Sequence, residues 1–312
     1  MKNHGWRRSS YGLYVPAAVD GGVVEQRILE QGSRVRGGGA VTAWASLRWR
    51  GAAYFDGTGP SGEQLAVPLV VGRDKIREGP GITVCQEQIA PSERELVDGL
   101  WVTTVQRALF DEVRRLGALR PGVAAVDMTA AAELISVWLF ASYVWHRHAW
   151  TGVPLVREVL PWAIDESRSP METLLRLCWE IDAGLPRPLC NVPVFDAMDG
   201  RLLGVPDLFD PVAGVVGEYD GAHHKDADQH RADVVREGGF RDHGLEYFAV
   251  VEGQLRQRRA VAERARRTRE RAKFLPPESC AWTLTPPPWW TPTPTLDERL
   301  ERAGMVERLT HR

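Results

Sequence analysis

Between residues 169 and 273 the sequence changes period in one order, helix, three short strands, helix, strand, helix, and that succession restricts the chain to a mixed α and β fold. The first helix is announced by Ser169-Pro170-Met171-Glu172, a capping box with proline at the first helical position, followed by Leu174, Leu175 and Leu177. Past Gly184 and Pro186, strands are predicted over 191–195, 202–209 and 215–219, with turns at Asp199-Gly200 and Asp210-Pro211 between them. A helix over 226–236, a strand over 246–251 and a basic helix over 254–273 complete the series. Gly238-Gly239 predicts an early end to the middle helix, because each glycine costs about 1 kcal/mol in a helix interior.

The chain has 312 residues, enough for two domains, and its patterning divides it into 1–118, 119–166, 167–274 and 275–312. The first stretch is glycine-rich, with short apolar runs at 65–71 and 82–84 that suit short strands; Pro68 makes the former an edge strand at most. Residues 103–116 read as a helix, with Val105, Leu109, Val113 and Leu116 at helical spacing and charges between them. Residues 119–166 read as a helical connector, apolar all round and buried. Its most hydrophobic run, 134–145, falls short of the roughly 20 residues that cross a bilayer. From 275 on, Pro276-Pro277 and Pro286-Pro287-Pro288 predict an extended tail, neither helix nor central strand.

A hydrophobic fraction of 44% and a charged fraction of 26% belong to an ordinary globular protein, and the net charge of -2 gives no global pull toward nucleic acid. Cys85, Cys178, Cys190 and Cys280 are scattered, without the spacing of a zinc site or a disulfide framework. The basic start of the chain is not followed by an apolar segment, so the expectation is a cytoplasmic protein with no membrane contact.

Three carboxylates carry the chemistry. Asp207 lies near the end of one predicted strand, and Glu218 and Asp220 lie two apart on the next, hence on one face. Glu218 sits inside the apolar run that holds Val215, Val216 and Tyr219, where a charge needs a partner or a metal. A hairpin through Asp210-Pro211 brings Asp207 beside Glu218, a donor pair suited to Mg²⁺ or Mn²⁺, and phosphodiester hydrolysis calls for such an ion. His223 and His224 follow directly, placed to exchange a hydrogen bond with a phosphate or a water. On the last helix, Arg264, Arg266, Arg267 and Arg269 form a basic surface for DNA phosphates or, as plainly, a solvated face.

Pro206-Asp207, then Glu218-Tyr219-Asp220-Gly221 and His223-His224, resemble the PD-(D/E)XK superfamily, and within it the branch related to the very-short-patch-repair endonuclease. The resemblance covers about residues 169–251 and implies a restriction-endonuclease-like αβββαβ core with a mixed sheet. It implies a site made of Glu172, Asp207, Glu218, Asp220 and His223 or His224, of which Asp207, Glu218 and Asp220 hold the metal. Asp220 stands where the superfamily has a lysine, which leaves the water-activating residue unassigned. Residues 11–15, 41–49 and 99–111 resemble the winged-helix N-terminal region of abortive-infection antitoxins, in degenerate form, without the helix-turn-helix that usually precedes the wing.

Each of these residues also has a plainer use. Glu172 completes the capping box, Asp220 suits an Asp-Gly turn, the histidines suit an exposed loop, and Trp282, Trp289 and Trp290 suit a tail packed back on the body. The expected function is a Mg²⁺-dependent (or Mn²⁺-dependent) DNA endonuclease. The alternative is a non-catalytic DNA-binding or regulatory protein of a toxin–antitoxin type system, with a toxin or antitoxin as partner.

Overall fold

The computed structural model describes residues 5–10, 12–221 and 227–310, with side chains for all of these except 227–233 and 308–310. The chain is α+β and forms two compact units, Met1–Ala163 with Leu296–Arg312, and Ile164–Thr295. Among the described residues no helix is long and apolar enough to cross a membrane.

The first unit opens on a hairpin, β1 (Trp6–Ser10) and β2 (Leu13–Pro16), followed by α1 (Val24–Gly32), β3 (Ala40–Val41) and α2 (Ala43–Trp49). Then come β4 (Val67–Val70), β5 (Ile82–Cys85), β6 (Arg94–Val97) and β7 (Leu100–Thr103), and with β3 they make a five-stranded sheet of order β5-β4-β3-β7-β6. In this sheet β4 is interior, so Pro68 does not mark an edge. The reason is local. Val67 and Val71 donate toward the β5 side, so Pro68 faces the other neighbour, where the two-residue β3 has ended and Thr42 N donates to the Pro68 carbonyl.

Helix α3 (Val105–Leu116) is capped by Thr104 and ends at Gly117 in the left-handed region. It is buried on nearly every side, charges included. Arg107 is 1% exposed and bonds Asp111, Glu93 and Glu87, while Asp111 also takes the Thr42 hydroxyl and Arg114. Helices α4 (Leu119–Ala131), α5 (Val137–Trp145) and α6 (Val153–Val159) pack on α3 and on one another, so the connector is part of this unit's body. The apolar run is not buried all round: Leu139, Phe140 and Val144 face inward, while Trp138 and Trp145 are 61% and 72% exposed.

The second unit begins with α7 (Pro170–Leu177), which runs on into a wider π turn, Cys178–Asp182. The strands are β8 (Val194–Asp196), β9 (Leu202–Gly204), β10 (Leu208–Asp210), β11 (Val215–Asp220), β12 (Glu246–Val251) and β13 (Trp282–Thr283), with α8 (Ala227–Asp242) and α9 (Arg258–Arg271) between them. They form two three-stranded sheets, β10-β11-β12 and β13-β8-β9. β10 and β11 are antiparallel, and β11 and β12 are parallel across the α8 connection. The strand expected over 202–209 is thus broken in two. Pro206 has no N–H for a ladder and biases Val205 before it, so pairing passes from β8 to β11 at this point.

The β11 face holding Val215 packs with Leu208, Phe248 and Val250 against α7 and α9, and the opposite face holding Val216 packs with Phe209 and Phe240. Phe240 explains why α8 runs through Gly238-Gly239 to Asp242 and does not stop near 236: its fully buried ring anchors the last turn. The proline-rich tail is not extended throughout. Trp282 pairs through β13 with β8 and meets Phe209 edge-on at 5.0 Å, and Trp289 and Trp290 meet Phe195. Beyond Pro294 the chain is free of proline and forms α10 (Leu296–Arg302), with Leu296 and Leu300 buried, and α11 (Met305–Thr310), both in the first unit.

Candidate functional site

The break at Pro206 leaves Asp207 one residue ahead of β10. Because Leu208 pairs with Gly217, extending that register sets Asp207 opposite Glu218. Its Oδ2 accepts a hydrogen bond of 2.7 Å from the Tyr219 amide, which fixes the carboxyl against the end of β11. Glu218 projects on the Val216 side of β11 and is 7% exposed. Its Oε2 accepts from Arg236 Nη2 of α8 and from the Tyr247 hydroxyl of β12, both at 2.9 Å. Burial, and then the Glu218 charge, push the Tyr247 phenol up, so it stays a donor.

Glu172 enters from α7 in both of its expected capacities. Its amide donates to the Ser169 hydroxyl at 3.1 Å, and its Oε2 accepts from the Arg168 amide at 2.9 Å, one residue earlier than a standard capping box. The same oxygen accepts from Asn191 Nδ2 at 2.8 Å. Asn191 is a strut: its backbone N–H donates to the Pro206 carbonyl at 3.0 Å, so it ties Glu172 to the residue before Asp207. It does so with φ of 53°, a left-handed conformation that asparagine tolerates better than most residues.

The electrostatic result is concentrated on Asp207. Burial raises its pKa from the ordinary 3.8 to about 7; the Tyr219 amide opposes this, the Glu172 and Glu218 charges add to it, and Arg236 partly offsets them. Three acids from α7, the 205–207 break and β11 therefore act on one place, answered by the guanidinium of Arg236. Asp220 lies half-exposed at the open end of β11, on the same side as Glu218. His223, His224 and Lys225 fall outside the described residues. Among the described residues no group of three or more His, Cys, Asp or Glu is arranged to hold a metal ion. Mg²⁺ is commonly held by one or two carboxylates together with water and substrate phosphates, so the Asp207 and Glu218 pair fits it by donor chemistry.

The arginines of α9 have other employment. Arg264 donates to the Ala249 carbonyl of β12, Arg266 to the carbonyls of Asp182 and Ala183 that end the π turn, and Arg269 to the buried carboxylate of Asp210. Arg267 is exposed and paired with Glu263. The expected phosphate-binding row is thus largely a set of ties holding α9 to its own unit, because the helix packs Val261, Ala262 and Ala265 inward and carries its neighbouring arginines to backbone carbonyls there. Asn191 and Tyr247 were not singled out by the sequence. Their types carry no local signal for a site.

Comparisons of the chain with protein-family models, with curated proteins and with solved structures return no match.

Proposed function

We propose that the second unit is a restriction-endonuclease-like phosphodiesterase that cleaves DNA with Mg²⁺ or Mn²⁺ held by Asp207 and Glu218, with Asp220 beside them. The observation that carries this is the convergence of Glu172, Asp207 and Glu218 on one buried place, where burial first and the two neighbouring charges after it raise the Asp207 carboxyl to about 7. The order α7, β8, β9, β10, β11, α8, β12 supports the reading, with β10, β11 and β12 in one mixed sheet and β8 and β9 in a second. When bound, such an ion supplies positive charge to the phosphoryl oxygens and makes a water more acidic. The protein's own groups do the positioning. The Tyr219 amide aims Asp207, Asn191 holds Glu172 against the Pro206 segment, and Tyr247 and Arg236 orient Glu218. Arg236 also balances the Glu218 charge.

The test uses the full chain on plasmid, mismatched, nicked and single-stranded DNA, with Mg²⁺, Mn²⁺ or a chelator. Cleavage with metal, reduced about 100-fold or more in Asp207→Asn and Glu218→Gln, is expected; equal cleavage by both variants ends the assignment. A second reading, a non-catalytic DNA-binding or regulatory protein of a toxin–antitoxin type system, is favoured by one contact. Arg236 and Tyr247 already satisfy Glu218 without a metal. Calorimetry that detects no Mg²⁺ or Mn²⁺ binding, alongside DNA binding without cleavage, would select it.

A further inference from the structure

We infer that a cleft in the first unit, between the β1–β2 hairpin, the end of α1 and the loop 73–80, binds the phosphate backbone of nucleic acid without reading sequence. The cleft encloses about 1060 Å³ and is lined by Arg8, Arg34, Arg36, Lys75 and Arg77 against Asp74 and Glu78. That is five cations to two acids, in a chain whose net charge is -2. No part of the catalytic reading of the second unit is needed for it.

The strand period explains how the charge is presented. Arg7 turns to one side of β1 and pairs with Glu30, buried on α1, which pins the hairpin; Arg8, its neighbour, turns to the other side and lines the cleft. Across the cleft, the Asp74 carboxylate accepts the Arg36 amide at 3.0 Å, so this acid joins the two loops that carry Arg36, Lys75 and Arg77. Arg36, Lys75 and Arg77 are exposed, and among the described residues their side chains form no ion pair. This is the reverse of α9, where three of four arginines are bound internally.

The remaining lining selects the ligand. Ser10 contributes a buried hydroxyl that makes no hydrogen bond among the described residues, and Gly12 and Gly79 let a ligand approach the backbone. None of the described lining residues is aromatic, so among them there is neither a stacking platform for bases nor the aromatic anchor that dominates protein interfaces. Arginines with a hydroxyl in an open groove suit a row of phosphates, where the guanidinium fork binds two oxygens at once.

The experiment measures anisotropy of labelled random-sequence duplex and single-stranded DNA with the full chain, in chelator so that cleavage plays no part, over roughly 50 to 200 mM salt. The triple variant R36A/K75A/R77A removes exposed side chains only, and an unchanged melting curve checks its fold. The expected result is a loss of about 2 to 3 from the slope of log K against log salt on duplex, with affinity down at least about tenfold. An unchanged slope overturns the inference. So does loss of binding in R256A/R258A/R259A, at the exposed start of α9 and the turn before it, with the cleft variant binding as wild type. Wild-type protein that binds polyglutamate as tightly as DNA through these residues would overturn the phosphate assignment.

Discussion

Replacing Asp207 by asparagine should stabilise the second unit at high pH and leave it unchanged at low pH. The Asp207 pKa is raised from 3.8 to about 7 in the folded chain, so between those values the folded state holds a proton that the unfolded state releases. Stability contributed by the protonated carboxyl is complete below about pH 4 and is lost as pH rises through about 7. At about 1.4 kcal/mol per pH unit, the full difference is ~4 kcal/mol. Relaxation of the surroundings around the charged carboxylate reduces this, so about 2 to 4 kcal/mol is expected for the variant above pH 8. The substituted amide keeps an oxygen for the Tyr219 N–H, so the packing is preserved. The assay is amide hydrogen exchange of peptides from β10 and β11 in the full chain, variant against wild type at one pH and in chelator, which cancels the intrinsic rates. Near-equal exchange at about pH 3 and slowing in the variant by about 30- to 700-fold at pH 8 follow from those energies. Slowing of equal size at both pH values, or faster exchange in the variant at pH 8, would refute the charge-cluster argument.

Two further outcomes concern buried pairs. Arg107→Met in the first unit leaves Asp111 and Glu93 without their shared partner and should cost about 3 to 5 kcal/mol, read as a fall in the urea midpoint reported by exchange in α3. Arg269→Ala strands Asp210, 5% exposed, and should lower the stability of the second unit by about 2 to 4 kcal/mol. Below its own unfolding transition that variant should keep the wild-type salt dependence of DNA binding; a changed slope would return Arg269 to the phosphate-binding role.

What the sequence alone determined is what depends on neighbours a few residues apart. The spacing of Val105, Leu109 and Val113 with Thr104 and Gly117 marks α3, Ser169 with Glu172 marks the start of α7, and the apolar run around Glu218 marks β11, because caps and periods are local properties. The proximity of Asp207 to Glu218 was also readable, since a short turn dictates the register of the pair it joins. Other features were decided only by tertiary packing. Arg269 meets Asp210 across 59 residues and Tyr247 meets Glu218 across 29, and neither residue type announces its partner. The charges of α3 lie inside because α2, α4, α5 and α6 close over them, and α8 outlasts its glycines because Phe240 finds a core. Asn191 earns its place by joining Glu172 to Pro206, a bond between segments that meet only when the chain is folded.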